Sequence, residues 1–344
     1  MTLRKLLVIA PGFPHEGDSY TIPYLSHLLP ELSQRHDFKI TVIAVHKPFT
    51  REPYTWRGIE VVPLNGRNAS YPIKAALVAR CFATVRSELK KGGYAGILNL
   101  WYNEFAVMSK YFHRNHYTYL LGRDVLPSNR YMRWFRPDPS RLIAVSGFAN
   151  DTLEQSFGLR ATHTVPIAVS PALFPKFNDA ERPIDLFGAG WLTDLKNYIL
   201  FAEAVLEIRK SFPEIRAEIA GDGPRKKQLE EFISLHGLER NLRLCGLLTH
   251  EQTLEKMNQS KIFLHTSRFE AGATVYAEAL YSGCQVVGTV PVLEDSEHFT
   301  SASGIRDIVE KIKSILEIGP KSERVVTHDI SRTCAQIEAL FAVR

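Results

Sequence analysis

Residues 261–290 read KIFLHTSRFEAGATVYAEALYSGCQVVGTV, and the order of residue types in this stretch decides the fold. The run 261–265 is short and apolar, as a strand covered on both faces must be. A small polar loop follows, then Glu270 with the small residues Ala271, Gly272 and Ala273. Thr274 opens a helical stretch to about 282, and Gly283 ends it in the position that favours a left-handed backbone. A second apolar run, 285–288, comes next. Strand, helix and strand within thirty residues make one βα unit of a parallel sheet.

Working outward, the alternation continues backward through strands at 184–189, 215–220 and 242–245 and helices at 197–210, 224–236 and 251–258. It stops at 166–183, PIAVSPALFPKFNDAERP, where four prolines and no helical periodicity predict an extended crossover. A first series precedes it, with strands at 5–10, 39–45, 59–62, 95–99, 117–121 and 141–145. Helices at 22–35 and 72–91 carry apolar residues at three- and four-residue spacing. A chain of 344 residues is longer than one core usually grows, so two domains are expected. The reading is an α/β protein with an N-terminal Rossmann-like domain over 1–168, a linker over 169–183 and a C-terminal Rossmann-like domain over 184–327. The stretches 303–318 and 328–344 are helical text, and 328–344 is expected to pack back onto the first domain.

Charge divides unevenly along the chain. Residues 1–170 hold 21 lysines and arginines against 12 acids, whereas 171–344 hold 21 against 25. A basic N-terminal half suits peripheral contact with an acidic surface, and the basic-aromatic run SNRYMRWFRPDPSR at 128–141 points the same way. No apolar run is long enough to span a bilayer, and the opening MTLRKLLVIAPGF reads as a first strand instead of a signal peptide. Cys81, Cys245, Cys284 and Cys334 are far apart and without a CxxC pair, so buried free thiols in a reducing cytoplasm are expected, at most beside the inner membrane face.

The loops after the strands carry the chemistry. Small residues from Ala271 to Val275 let backbone amides approach a diphosphate at the start of a helix, where the partial charge favours anions. Glu278, eight residues after Glu270, falls just over one turn into that helix, from where its carboxylate can take the hydroxyls of a ribose. Upstream, the strand text LFGAG at 186–190 leads to Lys196 just before a helix, where a lysine is ordinary on its own. Gly188 and Gly190 do not make a dinucleotide fingerprint, because Thr193 stands at the third position, and a nicotinamide dehydrogenase is excluded. AGDGPRKKQLEEF at 220–232, with Gly221 and Gly223, and LCGLL at 244–248, with Gly246, supply two further strand-end turns. The chain has no Asp-x-Asp and no HExxH, so no metal site is indicated.

Glu270-x7-Glu278 followed by ALYSGCQVVGT resembles the GT-B fold retaining glycosyltransferases of the family 4 type, the glycosyl transferases group 1. Specific motifs lie in 186–290, and the resemblance thins toward the N-terminus. There LLGRDVLP (120–127) is similar to the family's H-G-x-D segment with Leu121 for the histidine. AVSGFANDTL (144–153) is similar to its serine-containing strand end, and VPIAVSPALF (165–174) has Ala168, Val169 and Ser170 in place of its Gly-Val-Asp. The resemblance implies two Rossmann-like domains facing across a cleft and retaining transfer of a sugar from a UDP- or GDP-type donor, without a metal or other cofactor. The acceptor would be a glycan, a lipid-linked or a small molecule, as in polysaccharide biosynthesis, and nucleic acid is not an expected partner. It implies Lys196 on the phosphates and Glu270 near the donor sugar as the catalytic pair. Glu278 would take the ribose, and Gly190, Gly221, Gly223, Gly246, Arg268, Ala271, Gly272, Ala273, Thr274 and Val275 would line the donor. Trp191 stands where the family often has a second cation, and the text after Gly288 is compressed. These departures leave open a non-catalytic nucleotide-sugar-binding homologue, and a sugar-nucleotide 2-epimerase on the same scaffold is a further alternative.

Overall fold

The computed structural model describes residues 4–15, 23–35, 38–66, 71–177 and 182–342. Part of the first strand-to-helix loop (16–22), part of the crossover (178–181) and residues 343–344 lie outside them. The chain divides into two units, Met1–Ser170 with His328–Arg344, and Pro171–Thr327.

The first unit is built on β1 (Arg4–Gly12), α1 (Pro23–Arg35), β2 (Phe38–Lys47), β3 (Tyr54–Trp56), β4 (Ile59–Pro63), α2 (Tyr71–Lys90) and β5 (Tyr94–Leu100). It continues with α3 (Glu104–Ser109), β6 (His116–Leu120), α4 (Arg130–Phe135), β7 (Leu142–Ala144), α5 (Gly147–Phe157) and β8 (His163–Thr164). Its sheet runs β3-β4-β2-β1-β5-β6-β7-β8, parallel except for β3 against β4. Leu6, Leu7, Val8 and Ile9 of the central β1 are buried, since both faces of a parallel sheet are covered. The helix Ile330–Leu340 completes this unit by packing on α1. Beside it Phe341 fills the space left by Gly96, where an added Cβ would meet its ring at 2.5 Å. The start of the expected crossover is anchored here too: Ser170 N donates to His27 Nδ1 at 3.0 Å, and Ser170 Oγ donates to Glu31 Oε1 at 2.8 Å. Beyond it, the crossover is not wholly extended, because Pro171–Leu173 forms a single 3₁₀ turn.

The second unit comprises β9 (Ile184–Ala189), α6 (Tyr198–Arg209), β10 (Ala217–Ala220), α7 (Lys226–Leu235), β11 (Leu242–Gly246) and α8 (His250–Asn258). β12 (Ser260–His265), α9 (Thr274–Tyr281), β13 (Gln285–Gly288), β14 (Phe299–Ser301) and α10 (Gly304–Ile318) follow, and the helix Ile330–Leu340 is then α11. The sheet order is β11-β10-β9-β12-β13-β14, with every pairing parallel. The chain therefore builds outward from β9 in one direction and from β12 in the other, and the order reverses between these two strands. That reversal opens a crevice at the carboxyl ends of β9 and β12, the usual place for a ligand in an open α/β sheet. Side chains of β12 alternate between the two layers: Ile262 and Leu264 join the core under α6, α7 and α10, and Phe263 joins the core under α8 and α9.

Candidate functional site

Both strands at the reversal end in loops that carry the charged residues expected from the sequence. After β9 the chain passes Gly190 and Trp191 and reaches Lys196 just before α6. After β12 it passes Thr266, Ser267 and Arg268 and reaches Glu270 before α9. The loops are stitched together through backbone: Arg268 N donates to Leu195 O at 2.8 Å, Thr266 Oγ1 to Lys196 O at 3.0 Å, and Ser267 Oγ to Leu195 O at 3.2 Å. Thr289, just past β13, adds its N–H to His265 O at 3.0 Å. Residues 74 apart in sequence are thus held side by side, and Lys196 Nζ forms an ion pair with Glu270 Oε1.

Glu270 has a second partner. His265 Nε2 lies 2.9 Å from the same Oε1. Burial pushes the Glu270 carboxyl upward, but the His265 hydrogen bond and the Lys196 charge outweigh it and hold the group well below the usual carboxylate range. Burial, and then the Lys196 charge, lower His265 against the pull of Glu270. The pair is therefore a carboxylate and a neutral imidazole. Tyr198 and Tyr276 face Glu270 as buried phenols, pushed up by burial and then by the Glu270 charge.

The two helices that start at this crevice share an unusual entrance. Asn197 before α6 and Ala273 before α9 both adopt left-handed backbone, and neither caps its helix with a side chain. The first amides of these helices are left to other acceptors, a setting that suits an anion. Ala273 at φ 40° is where a glycine would sit without strain. Ala271 and Ala273 are buried, and Gly272, Thr274 and Val275 are partly exposed.

Glu278, in the second turn of α9, is buried, with Oε1 2.7 Å from His250 Nε2. His250 is placed by the capping box of α8, in which Gln252 N donates to Thr249 Oγ1 at 3.2 Å and Thr249 N to Gln252 Oε1 at 2.9 Å. The glycines at the other strand ends have a packing role. Gly221 and Gly223 have φ of 149° and 154°, and an added Cβ would strike Gly190 O at 1.9 Å and Leu192 O at 2.6 Å. Only glycine lets these turns cross so closely, and Gly190 N donates to Ala220 O at 2.9 Å across the same contact. Gly246 is left-handed with open space around it. Arg268 is exposed and borders a 360 Å³ pocket with Asp194, Asn197 and Arg225. Among the described residues, Glu270 is paired with Lys196 and His265. Trp191 is exposed.

Sequence reasoning missed His265 and His250. Each had a visible signal, a histidine at the carboxyl end of a buried strand and one just inside a capping box, but the partner of His250 lies on a separate element and that of His265 in a loop whose course the sequence does not show. Three of the four cysteines, Cys81, Cys284 and Cys334, are buried free thiols, as read from the sequence. Cys245 is only partly buried and donates to Glu218 Oε2 at 3.3 Å.

The family Glycosyl transferases group 1 matches residues 170–328. One component of the human phosphatidylinositol N-acetylglucosaminyltransferase is 30% identical over 155 residues, 44% of this chain and 32% of that protein. The UDP-N-acetylglucosamine–peptide N-acetylglucosaminyltransferase GtfA subunit of Streptococcus pneumoniae is 26% identical over 144 residues, 40% of this chain and 28% of that protein. The chain thus spans about a third of the length of these relatives. Among solved structures, HepE of Anabaena in complex with UDP and glucose superposes with a TM-score of 0.71 over 99% of this chain and 100% of that one, at 17% identity. Two Rossmann-like units, the matched segment and this likeness agree: the chain has the GT-B glycosyltransferase fold, and its residues 170–328 match the glycosyl transferases group 1.

Proposed function

We propose that the protein is a glycosyltransferase that moves a sugar from a nucleoside diphosphate donor, of the UDP type, to a hydroxyl acceptor with retention at the anomeric carbon. One observation carries this reading: the strand ends on either side of the reversal in the second unit bring Lys196 and Glu270 together where a ligand of an open α/β sheet binds. In the proposed reaction the bond between the anomeric carbon and the diphosphate oxygen breaks, and the diphosphate leaves with the electron pair. The acceptor oxygen bonds to the anomeric carbon, and its proton passes to the departing diphosphate or to water. Lys196 and the amides from Gly272 to Val275 would stabilise the charge that builds on the leaving group, the work a cation does in metal-dependent transfer, so no metal is invoked. Glu270 would hold the donor sugar hydroxyls, and Glu278, steadied by His250, the ribose. Gly190, Gly221, Gly223 and Gly246 would shape the wall on the nucleotide side.

A UDP donor is supported by the name of the pneumococcal relative, which transfers from UDP-N-acetylglucosamine, and by solved structures of the same fold that hold UDP. A lipid-linked or glycan acceptor is favoured because the human relative acts on phosphatidylinositol, and peripheral contact with a membrane through the basic first unit fits such an acceptor. A thermal-shift series with nucleoside diphosphates tests the donor site: UDP should raise the unfolding midpoint more than other nucleoside diphosphates, because a ligand of the folded state stabilises it by mass action. Release of UDP from UDP-sugars in the presence of acceptors then tests the reaction. UDP binding without turnover across sugars and acceptors would favour a non-catalytic homologue, for which exposed Trp191 in place of a second cation is the structural argument.

A further inference from the structure

The last residue of β12 is a histidine in a place where the strand pattern calls for an apolar side chain. His265 is 1% exposed, stacks on Phe263 with ring centroids 6.0 Å apart, and meets the edge of Tyr276 at 5.4 Å. Its Nε2 reaches Glu270, and its Nδ1 is buried without a hydrogen-bond partner. An ionised carboxylate only accepts, so Nε2 carries the proton and Nδ1 is a bare acceptor. A buried polar atom left unanswered costs free energy, about 1–3 kcal/mol. Phenylalanine or leucine would fill this site without that cost, so the histidine is retained for its other nitrogen.

The charged side chain beside Glu270 is Lys196, on the 190–197 loop. Lys196 cannot hold Glu270 and neutralise a diphosphate equally well with one ammonium. We propose that His265 is a positioning residue that fixes Glu270 from the buried side, so that Lys196 is free to exchange from Glu270 to the donor diphosphate without releasing the carboxylate. The inference rests on the reading of Lys196 and Glu270 as donor-site residues. Among the described residues, the groups that face Glu270 are Lys196, His265 and the phenols of Tyr198 and Tyr276, and those that face His265 are Glu270, Lys196 and Tyr276. Neither phenol donates to Glu270 in the structure: Tyr276 Oη donates to Val290 O at 3.4 Å, and Tyr198 Oη makes no hydrogen bond among the described residues. The imidazole N–H replaces the ammonium in part when it turns away, because it sits within 2.9 Å of the same Glu270 oxygen and is held by the core.

The test compares the full chain with its His265→Phe and His265→Gln variants, glutamine keeping an N–H donor in reach of Glu270. The first readout is the ¹³C-carboxyl titration of Glu270 with UDP bound, identified by its loss in Glu270→Gln. His265→Phe should move the midpoint upward by roughly one unit or more, and His265→Gln should return most of the shift. The second is kinetics: His265→Phe should lower kcat by about tenfold or more while UDP affinity stays within about threefold, and the acid limb of kcat should move to higher pH. An unmoved Glu270 midpoint in His265→Phe overturns the proposal. If the unaltered chain turns over no nucleotide sugar, the functional reading fails, but the carboxyl titration still decides the role of His265. Should phenylalanine prevent folding, the ¹⁵N spectrum of the unaltered chain decides: a protonated Nε2 and bare Nδ1 at neutral pH are expected, and a protonated Nδ1 overturns it.

Discussion

Under the proposed function, the value of Lys196 would depend on the moment of reaction. In the proposed reaction, helix-start amides would already share the diphosphate charge in the ground state, whereas bond breaking would concentrate new charge on the leaving oxygen. Lys196→Ala should therefore lower kcat by about 10²–10³ while changing donor affinity less. A variant that lost donor affinity alone would make Lys196 an anchor. Asp124 makes a different prediction. It is buried after β6, accepting Gly122 N at 2.9 Å and Tyr102 N at 3.0 Å. Burial raises its carboxyl to about 6 despite these bonds. An acid raised in the folded state binds more protons folded than unfolded between pH 4 and 6, so its ionisation cost is present above that window and relieved as pH falls through it. The shift is worth about 3 kcal/mol at most. Against Asp124→Asn, the unaltered chain should gain relative stability between pH 7.5 and 5, read from urea midpoints. A difference independent of pH would show the carboxyl titrating normally. The positions of Lys196, Glu270 and Glu278 at strand ends and a helix start were readable from the spacing of the apolar runs before them, and the structure places Lys196 beside Glu270. The contact of His250 was not legible because Glu278 lies on another element, and that of His265 because the fold of the loop after β12 decides whether Glu270, five residues on, turns back to it.

At the scale of elements, periodicity located most strands and helices, and local hydrogen bonding set their ends. The helix expected from 224 starts at Lys226 because Gly223, Pro224 and Arg225 form a turn closed by Lys226 N on Gly223 O. The strand expected from 215 starts at Ala217 because Ile215 N is taken by Phe212 O. α3 and α4 are six residues long, too short to show a helical period, and side-chain caps from Asn103 and Asn129 hold them. α5 did carry a readable start and stop, Ser146 and Gly158, but its text was read for motif likeness alone. Arg182 is the least readable element joint. Its buried guanidinium donates to Met257 O at 3.3 Å, Ser260 O at 2.8 Å and Ser282 O at 2.8 Å. Met257 O and Ser282 O lie at the ends of α8 and α9, where the helix dipoles favour a cation, and Ser260 O lies at the start of β12. Arg182→Ala should destabilise the second unit by about 3 kcal/mol, because the carbonyls lose their donor in a dry setting. Calorimetry would show the loss as a lowered midpoint, and an unchanged one would mean that water replaces the guanidinium.

At the scale of the molecule, the uneven charge read from the sequence gains a structural counterpart in the first unit. No helix among the described residues is long and apolar enough to cross a membrane. The run 128–141 instead presents α4 with Trp134 66% and Phe135 47% exposed, and the Arg130 guanidinium lies over the rings of Tyr131 and Trp134. Aromatic rings beside arginines suit the boundary of an anionic bilayer. The chain should sediment with anionic vesicles and not with zwitterionic ones, and Trp134→Ala with Phe135→Ala should weaken this several-fold. Binding that persists unchanged in high salt would contradict the electrostatic account.

The chain order of the two units also has a consequence for synthesis. Phe341 and α11 belong to the core of the first unit, and Arg4 pairs with Glu338. A ribosome therefore finishes the whole second unit before it delivers the helix that closes the first. During that interval Gly96 and Tyr117 lack the ring that covers them, and α1 lacks its partner. The earlier-made unit matures later, and in that window a nascent chain offers chaperones an exposed apolar face.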